Sequence, residues 1–273
     1  MQPNAVPRPR LPGSTLMLAL VLGACQASAY AASEGIVTDR PDFVESSNVV
    51  GLGSFQVETS LAVDRSRSAT LRERVVNTPT LLRYGISDTF ELRVETDGRV
   101  WAQSRVPATG ERGSASGYAD ASLGLKWHAA DAAGSNPSLG VLLHADTPSG
   151  SRTLRGEKVR PSLRVVAEWE LPGDMSLGVM PGVGSDTNAA GQRYAHGIFG
   201  AVLGKQLTDK LRGFVEIAAP HVARSADGGT EASFDVGGAY LITDTLQVDA
   251  MLARGLNSRT PELSLTIGVS FKL

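Results

Sequence analysis

The end of the chain constrains the fold more than any other stretch. Residues 261–273 read Pro-Glu-Leu-Ser-Leu-Thr-Ile-Gly-Val-Ser-Phe-Lys-Leu. Leu263, Leu265, Ile267, Val269, Phe271 and Leu273 share one parity, and Glu262, Ser264, Thr266, Gly268, Ser270 and Lys272 share the other. A strand projects alternate side chains to opposite faces, so this segment has one apolar face and one polar face. The alternation runs to the last residue. That pattern predicts the closing strand of a transmembrane β-barrel, with the apolar face on lipid and the polar face in the lumen.

The same period recurs upstream. Apolar residues hold one parity over 55–63, 76–84, 90–94, 121–127, 139–145, 163–169, 177–183, 199–203, 215–217, 234–240 and 246–252. With the closing strand these predict an all-β, antiparallel up-and-down barrel of about 12 strands. Connections alternate in length. Residues 85–88, 172–174, 207–209 and 243–245 are short turns of Gly, Pro, Asp, Ser and Thr, with a somewhat longer one at 130–136. Between them lie longer polar loops at about 65–71, 102–116, 147–159, 185–192, 220–230 and 255–260. In a bacterial barrel the short turns are periplasmic, which places both termini there and makes Tyr84, Phe90, Tyr240 and Phe271 part of a periplasmic aromatic girdle.

The amino terminus reads as a secretory signal. Arg8 and Arg10 precede an apolar run from Leu11 to Leu22, followed by small residues at Ala27, Ser28, Ala29, Ala31 and Ala32. Residues 1–29 form the expected signal peptide, with cleavage after Ala29 or as late as residue 32. A second mode fits too: Leu22-Gly23-Ala24-Cys25 resembles a lipoprotein box that would leave Cys25 lipidated. Residues 30–52 are then an amino-terminal segment that stays in the periplasm or enters the lumen, and 53–273 form the barrel. Cys25 is the only cysteine, so ordinary cleavage leaves no thiol or disulfide chemistry. Loss of the two signal arginines takes the net charge from -2 to about -4, which argues against nucleic acid as a partner.

Several ordered motifs carry a family resemblance. Thr38-Asp39-Arg40-Pro41-Asp42-Phe43-Val44-Glu45-Ser46 with Gly53-Ser54-Phe55-Gln56-Val57-Glu58 resembles the opening of the family described as "putative MetA-pathway of phenol degradation". Residues 82–88, 117–120, 123–126, 147–150, 246–249, 254–257 and 268–272 continue it. The resemblance implies an outer-membrane barrel associated with aromatic-compound catabolism and an uptake role. It brings no catalytic residue and no cofactor.

Charged residues on the polar parity are the lumen candidates: Glu58, Arg83, Glu91, Arg93, Glu95, Asp120, Lys126, Arg164, Glu168, Glu216, Asp235, Asp249 and Lys272. In a water-poor interior opposite signs must pair, either as a rigid filling or as the wall of a selective path. Arg83 and Glu91 are expected directly opposite each other. Asp39, Arg40, Asp42, Phe43 and Glu45 are the candidates for a plug preceding the first strand. His128 and His144 share the polar parity, with Asp120, Ser122 and Asp146 near in sequence, but no serine has a distinctive context and no third metal ligand is spaced with them. Residues 151–158, Ser-Arg-Thr-Leu-Arg-Gly-Glu-Lys, form a basic external loop suited to lipopolysaccharide phosphates or to plain solvation. The sequence therefore predicts a monomeric barrel in the outer membrane of a Gram-negative cell. Its partners are outer-membrane lipid, lipopolysaccharide and an unspecified small solute, and it needs no metal or cofactor. Its expected role is passive passage of small molecules, aromatic and hydrophobic ones included. A closed structural barrel and an outer-membrane lipid-modifying enzyme are the alternatives.

Overall fold

The computed structural model describes residues 35–273 except Ala189; the expected signal peptide and Cys25 lie outside the described residues. The strands are β1 (Phe55–Arg67), β2 (Arg72–Asn77), β3 (Thr80–Gly85), β4 (Phe90–Thr96), β5 (Arg99–Arg105), β6 (Arg112–Tyr118), β7 (Ala121–Ala130), β8 (Ser138–Thr147), β9 (Arg160–Leu171), β10 (Met175–Thr187), β11 (Arg193–Thr208), β12 (Leu211–Val222), β13 (Glu231–Thr243), β14 (Leu246–Gly255) and β15 (Leu263–Lys272). They make twelve crossings, because three crossings are each broken once. Pro79, which has no N–H to donate, separates β2 from β3. Gly98, at φ +65°, sits at a bulge between β4 and β5. The third break, at Ala119 and Asp120, separates β6 from β7.

Every neighbouring pair is antiparallel, and β1 closes the barrel on β15 from Gln56↔Lys272 to Arg65↔Leu263. The apolar parity faces outward: Ile267 is 58% exposed, whereas the adjacent Thr266 is buried. Leu61, Leu92, Leu123, Leu143, Ile217 and Leu265 are exposed in the same way. A continuous apolar belt on a closed sheet is the lipid-facing surface of a membrane barrel. At the short-turn end Phe90 and Trp127 stack with ring centroids 6.1 Å apart, and Tyr84 on β3 and, elsewhere on the barrel, Tyr240 on β13 are exposed.

Three details depart from the sequence reading. Much of the expected loop 102–116 is strand, since β5 runs to Arg105 and β6 starts at Arg112. The same holds at 65–71 and 185–192, where β1 and β10 continue to Arg67 and Thr187. These extensions carry no apolar alternation because they rise beyond the hydrocarbon. Arg83 faces Arg93, not Glu91, whose register partner is Gly85. The ladder continues through Ile86, whose N–H donates to Phe90 O (2.9 Å), so the turn is tighter than expected and the register moves. Finally, β6 pairs with β5 but not with β8. Beyond Thr147 the chain leaves the ladder, and Ser151 N–H donates to Tyr118 O (2.9 Å).

Candidate functional site: a lumen occupied by the amino-terminal segment

Residues 35–54 form no helix or strand, yet most of them are buried or half-buried. The segment enters at the short-turn end, where Ile36 N–H donates to Asp244 O (2.7 Å). It loops through the lumen and leaves at the same end, where Gly53 N–H donates to Gly85 O (2.8 Å) before β1 begins.

An irregular backbone inside a barrel has no ladder to satisfy its polar groups. Here the wall supplies charged side chains instead. Glu58 accepts from Asp39 N–H (2.9 Å), and Glu216 accepts from both Phe43 N–H (2.9 Å) and Val44 N–H (2.7 Å). Glu168 accepts from Ser47 N–H (2.5 Å), and Glu91 from Val50 N–H (2.9 Å). Cations serve the carbonyls. Arg83 donates to Val37 O (2.9 Å) and Asn48 O (3.0 Å), and Lys126 donates to Ser46 O (2.8 Å).

The segment's own charges complete a central cluster. Asp39 takes Arg93 Nη1 at 2.6 Å, Lys126 Nζ at 2.7 Å and Arg83 Nη1 at 3.3 Å. Glu45 takes Arg93 Nη2 at 2.5 Å and Arg164 Nη1 at 2.8 Å. Arg83 also grips Glu91 through Nε (2.9 Å) and Nη2 (3.0 Å), and Glu58 through Nη1 (2.9 Å). Arg83–Glu91 thus pairs diagonally across β3 and β4. Four cations (Arg83, Arg93, Lys126, Arg164) meet four anions (Asp39, Glu45, Glu58, Glu91), and the segment contributes two of those anions. Burial pushes the Asp39 carboxyl up. The Arg83, Lys126 and Arg93 charges more than reverse this and hold it well below the usual carboxylate range. Burial likewise opposes ionisation of Glu45, and Arg93, with Lys126 and Arg164, brings that carboxyl down to about 2.

A second anchor is apolar. Val44 is buried in a cluster with Leu142, Val166, Met180, Val202 and Phe214, and Phe43 packs against it. These wall residues lie on the lumen face of β8 to β12. Two glycines make the approach possible. A Cβ on Gly200 would sit 2.6 Å from Val44 Cγ2, and one on Gly140 would sit 2.9 Å from Ser47 Cα. Asp42 forms a fork with Arg212 at 3.1 and 2.7 Å.

The remaining candidates separate. Glu95 is half-buried beside Arg40 (3.5 Å) and His144 (3.7 Å). Asp235 lies directly opposite Glu216, and Asp249 is buried on β14. Lys272 is half-buried at the end of β15. Asp120 is outside the cluster. At the β6–β7 break it accepts from Gly150 N–H (2.9 Å), Gly156 N–H (2.8 Å) and Arg160 (3.2 Å), so it anchors the long loop at 148–159. His128 and His144 do not share a site: His128 Nδ1 lies 3.1 Å from Ser47 O near the short-turn end, whereas His144 lies beside Glu95. Among the described residues no group of His, Cys, Asp and Glu is placed to hold a metal ion. The sequence reading missed the apolar anchor. Its signal was single apolar residues on the polar parity, at 142, 166, 202 and 214, facing glycines at 140, 178 and 200.

Two cavities flank the segment. One of about 300 Å³ at the short-turn end is bounded by Ile36, Asp42, Arg212, Leu241 and Gln247. Another of about 220 Å³ toward the long-loop end is lined by Arg160, Arg164, Asp186, His196 and His221.

Comparison with solved structures places the fold. The COG4313 outer membrane channel from Pseudomonas putida F1 is similar at TM-score 0.59 and 12% identity, over 90% of this chain and all of that one. The β domain of the Bordetella autotransporter BrkA is similar at TM-score 0.54 and 13% identity, over 80% of this chain and 99% of that one. No curated protein matches the chain. The fold is therefore that of an outer-membrane β-barrel. A family model matches residues 38–273, from the lumen segment to the end of the closing strand, and the chain belongs to the family described as "Putative MetA-pathway of phenol degradation".

Proposed function

We propose that the protein is an outer-membrane channel for passive passage of small molecules, aromatic and hydrophobic ones among them. One observation carries this reading. The waist of the lumen is filled by a segment that belongs to no strand, with open volume on either side of it. A barrel meant only to be rigid can fill itself with wall side chains. Here the wall presents charges, glycines and an apolar pad to an insert that enters and leaves at one end. The similar protein from Pseudomonas putida F1 is itself described as an outer membrane channel, and the family description supplies the aromatic class. In this reading the short turns and both termini lie in the periplasm, the long loops face outward, and the barrel acts as a monomer without a cofactor. The lumen candidates Glu58, Arg83, Glu91, Arg93, Lys126 and Arg164 hold the segment, and the passage runs beside or beneath it. Entry of a phenolic solute into liposomes carrying the purified protein tests the proposal. Flux above protein-free liposomes is expected. Flux equal to them, for the full chain and for a chain lacking residues 35–50, would favour a closed structural barrel.

A further inference from the structure

The outer part of the sheet carries an unusual arrangement on its outward face. Residues directly opposite in an antiparallel pair share a face. Val63, Val76 and Trp101 form one such row across β1, β2 and β5, level with Leu265 on the lipid face. The next row up pairs Arg65 with Arg74. The row above it runs Arg67, Arg72, Arg105 and Arg112, each directly opposite the next. All six guanidiniums belong to exposed residues. Like charges facing each other across strands destabilise a sheet, and here they recur along four adjacent strands. The relief within the chain is slight. Glu262 lies 3.7 Å from Arg67, and Glu73 sits on the other face between Arg72 and Arg74. Among the described residues Arg65, Arg72, Arg74, Arg105 and Arg112 make no ion pair.

Height along the barrel identifies the missing counter-charge. Trp101 and Tyr118, both exposed, flank Arg99, whose guanidinium carbon lies 5.6 Å and 5.0 Å from the two ring centroids. Outward aromatic residues of this kind mark the membrane interface. Two residues of strand rise about 7 Å, so the arginine rows stand roughly 7 and 14 Å along the strands above Trp101, within the head-group layer. We propose that this ladder docks the phosphorylated head group of lipopolysaccharide, with the acyl chains lying against Trp101, Tyr118 and the apolar belt. Arginine forks bind phosphate bidentately, and a multiply phosphorylated saccharide spans adjacent strands as a single phosphate ion cannot. The proposal rests on the long-loop end facing the exterior. It does not depend on passage through the lumen.

The test uses the full mature chain folded in detergent and titrated with deep-rough lipopolysaccharide, with bound lipid read by native mass spectrometry. The wild type is expected to retain the phosphorylated lipid. The fourfold variant Arg67→Gln, Arg72→Gln, Arg105→Gln and Arg112→Gln should weaken retention roughly tenfold or more, given the strength of charge-assisted hydrogen bonds. Enzymatic removal of the lipid phosphates should weaken it similarly. Arg152→Gln, Arg155→Gln and Lys158→Gln together remove a comparable charge from the neighbouring loop and should change retention less than about threefold, because those residues lie outside the facing rows that present several guanidiniums to one head group. Heat-modifiable gel mobility reports folding. If the fourfold variant fails to fold, Arg105→Gln with Arg112→Gln, on the projecting β5–β6 hairpin, is read instead. Unchanged retention by the ladder variant, equal retention of dephosphorylated lipid, an equal loss in the loop variant, or full displacement by millimolar inorganic phosphate would each overturn the proposal.

Discussion

Asp39 is the anchor on which docking of the lumen segment depends most. Asp39→Asn keeps the shape and removes the charge. Lys126 then loses its only carboxylate partner closer than 3.9 Å, the distance to Glu45, while its ammonium stays wholly buried. Arg83 and Arg93 are less affected, because Glu58, Glu91 and Glu45 still hold them. The cluster is left with four cations against three anions. Breaking a buried pair by removing one partner costs about 3–5 kcal/mol. If the segment can undock while the barrel stays folded, that cost falls on undocking, and at about 1.4 kcal/mol per decade it raises the open population roughly a hundred- to a few-thousand-fold. Hydrogen exchange at Phe43, Val44 and Ser47 reads it directly, since their N–H groups are bonded to Glu216 and Glu168. Lys126→Met alone should also loosen the segment. The double variant should protect it better than Asp39→Asn alone, because no cation is then stranded. Exchange in Asp39→Asn within about threefold of wild type, or purely additive effects in the double variant, would refute this.

Gly200→Ala places a methyl 2.6 Å from Val44 Cγ2; it should cost about 1–3 kcal/mol of docking, seen as faster exchange at Val44 with unchanged barrel mobility on a gel. Ile267→Arg puts a charge on the lipid face and should cost about 2–4 kcal/mol if it lies near the midplane, measured by refolding into bilayers, whereas Ile267→Leu should be nearly silent. The acid response follows from two depressed carboxyls. Asp39 and Glu45 are lower in the folded state than their ordinary values of 3.8 and 4.5, so their contribution is full above about pH 4.5 and is lost as pH falls toward 2. Exchange of the segment should therefore be flat from pH 7 to 5 after correction for intrinsic rates and rise below 4; release on raising the pH instead would contradict the assignment.

The barrel was legible because its lipid face imposes a period of two on every crossing, and Leu263 to Leu273 display it without interruption. Legibility failed where that pressure stops. Residues 102–116 rise above the hydrocarbon, so their strands look like loop. Parity alone sets Arg83 against Glu91, whereas the ladder runs on through Ile86 and shortens the turn; nothing in Gly85-Ile86-Ser87-Asp88 fixes a register by itself. The charged candidates could be named from parity alone, but not their partners. Asp120 shares that parity and instead holds the long loop at 148–159, because the strand breaks beside it. Val44, Leu142, Val166 and Phe214 carried little signal, since one apolar residue on a polar face has no period to reveal it. Only their coincidence with glycines at 140, 178 and 200 points to an insert.

Solute entry into liposomes, compared between the full mature chain and a chain lacking residues 35–50, tests the central claim most directly. Removing the segment takes Asp39, Arg40, Asp42 and Glu45 away, frees Glu168, Glu216 and Arg212 of their partners in it, and leaves the waist of the lumen unfilled. A plugged channel predicts a shortened chain that still folds and admits a phenolic solute faster than the full chain does. Flux from both chains no higher than in protein-free liposomes would contradict it.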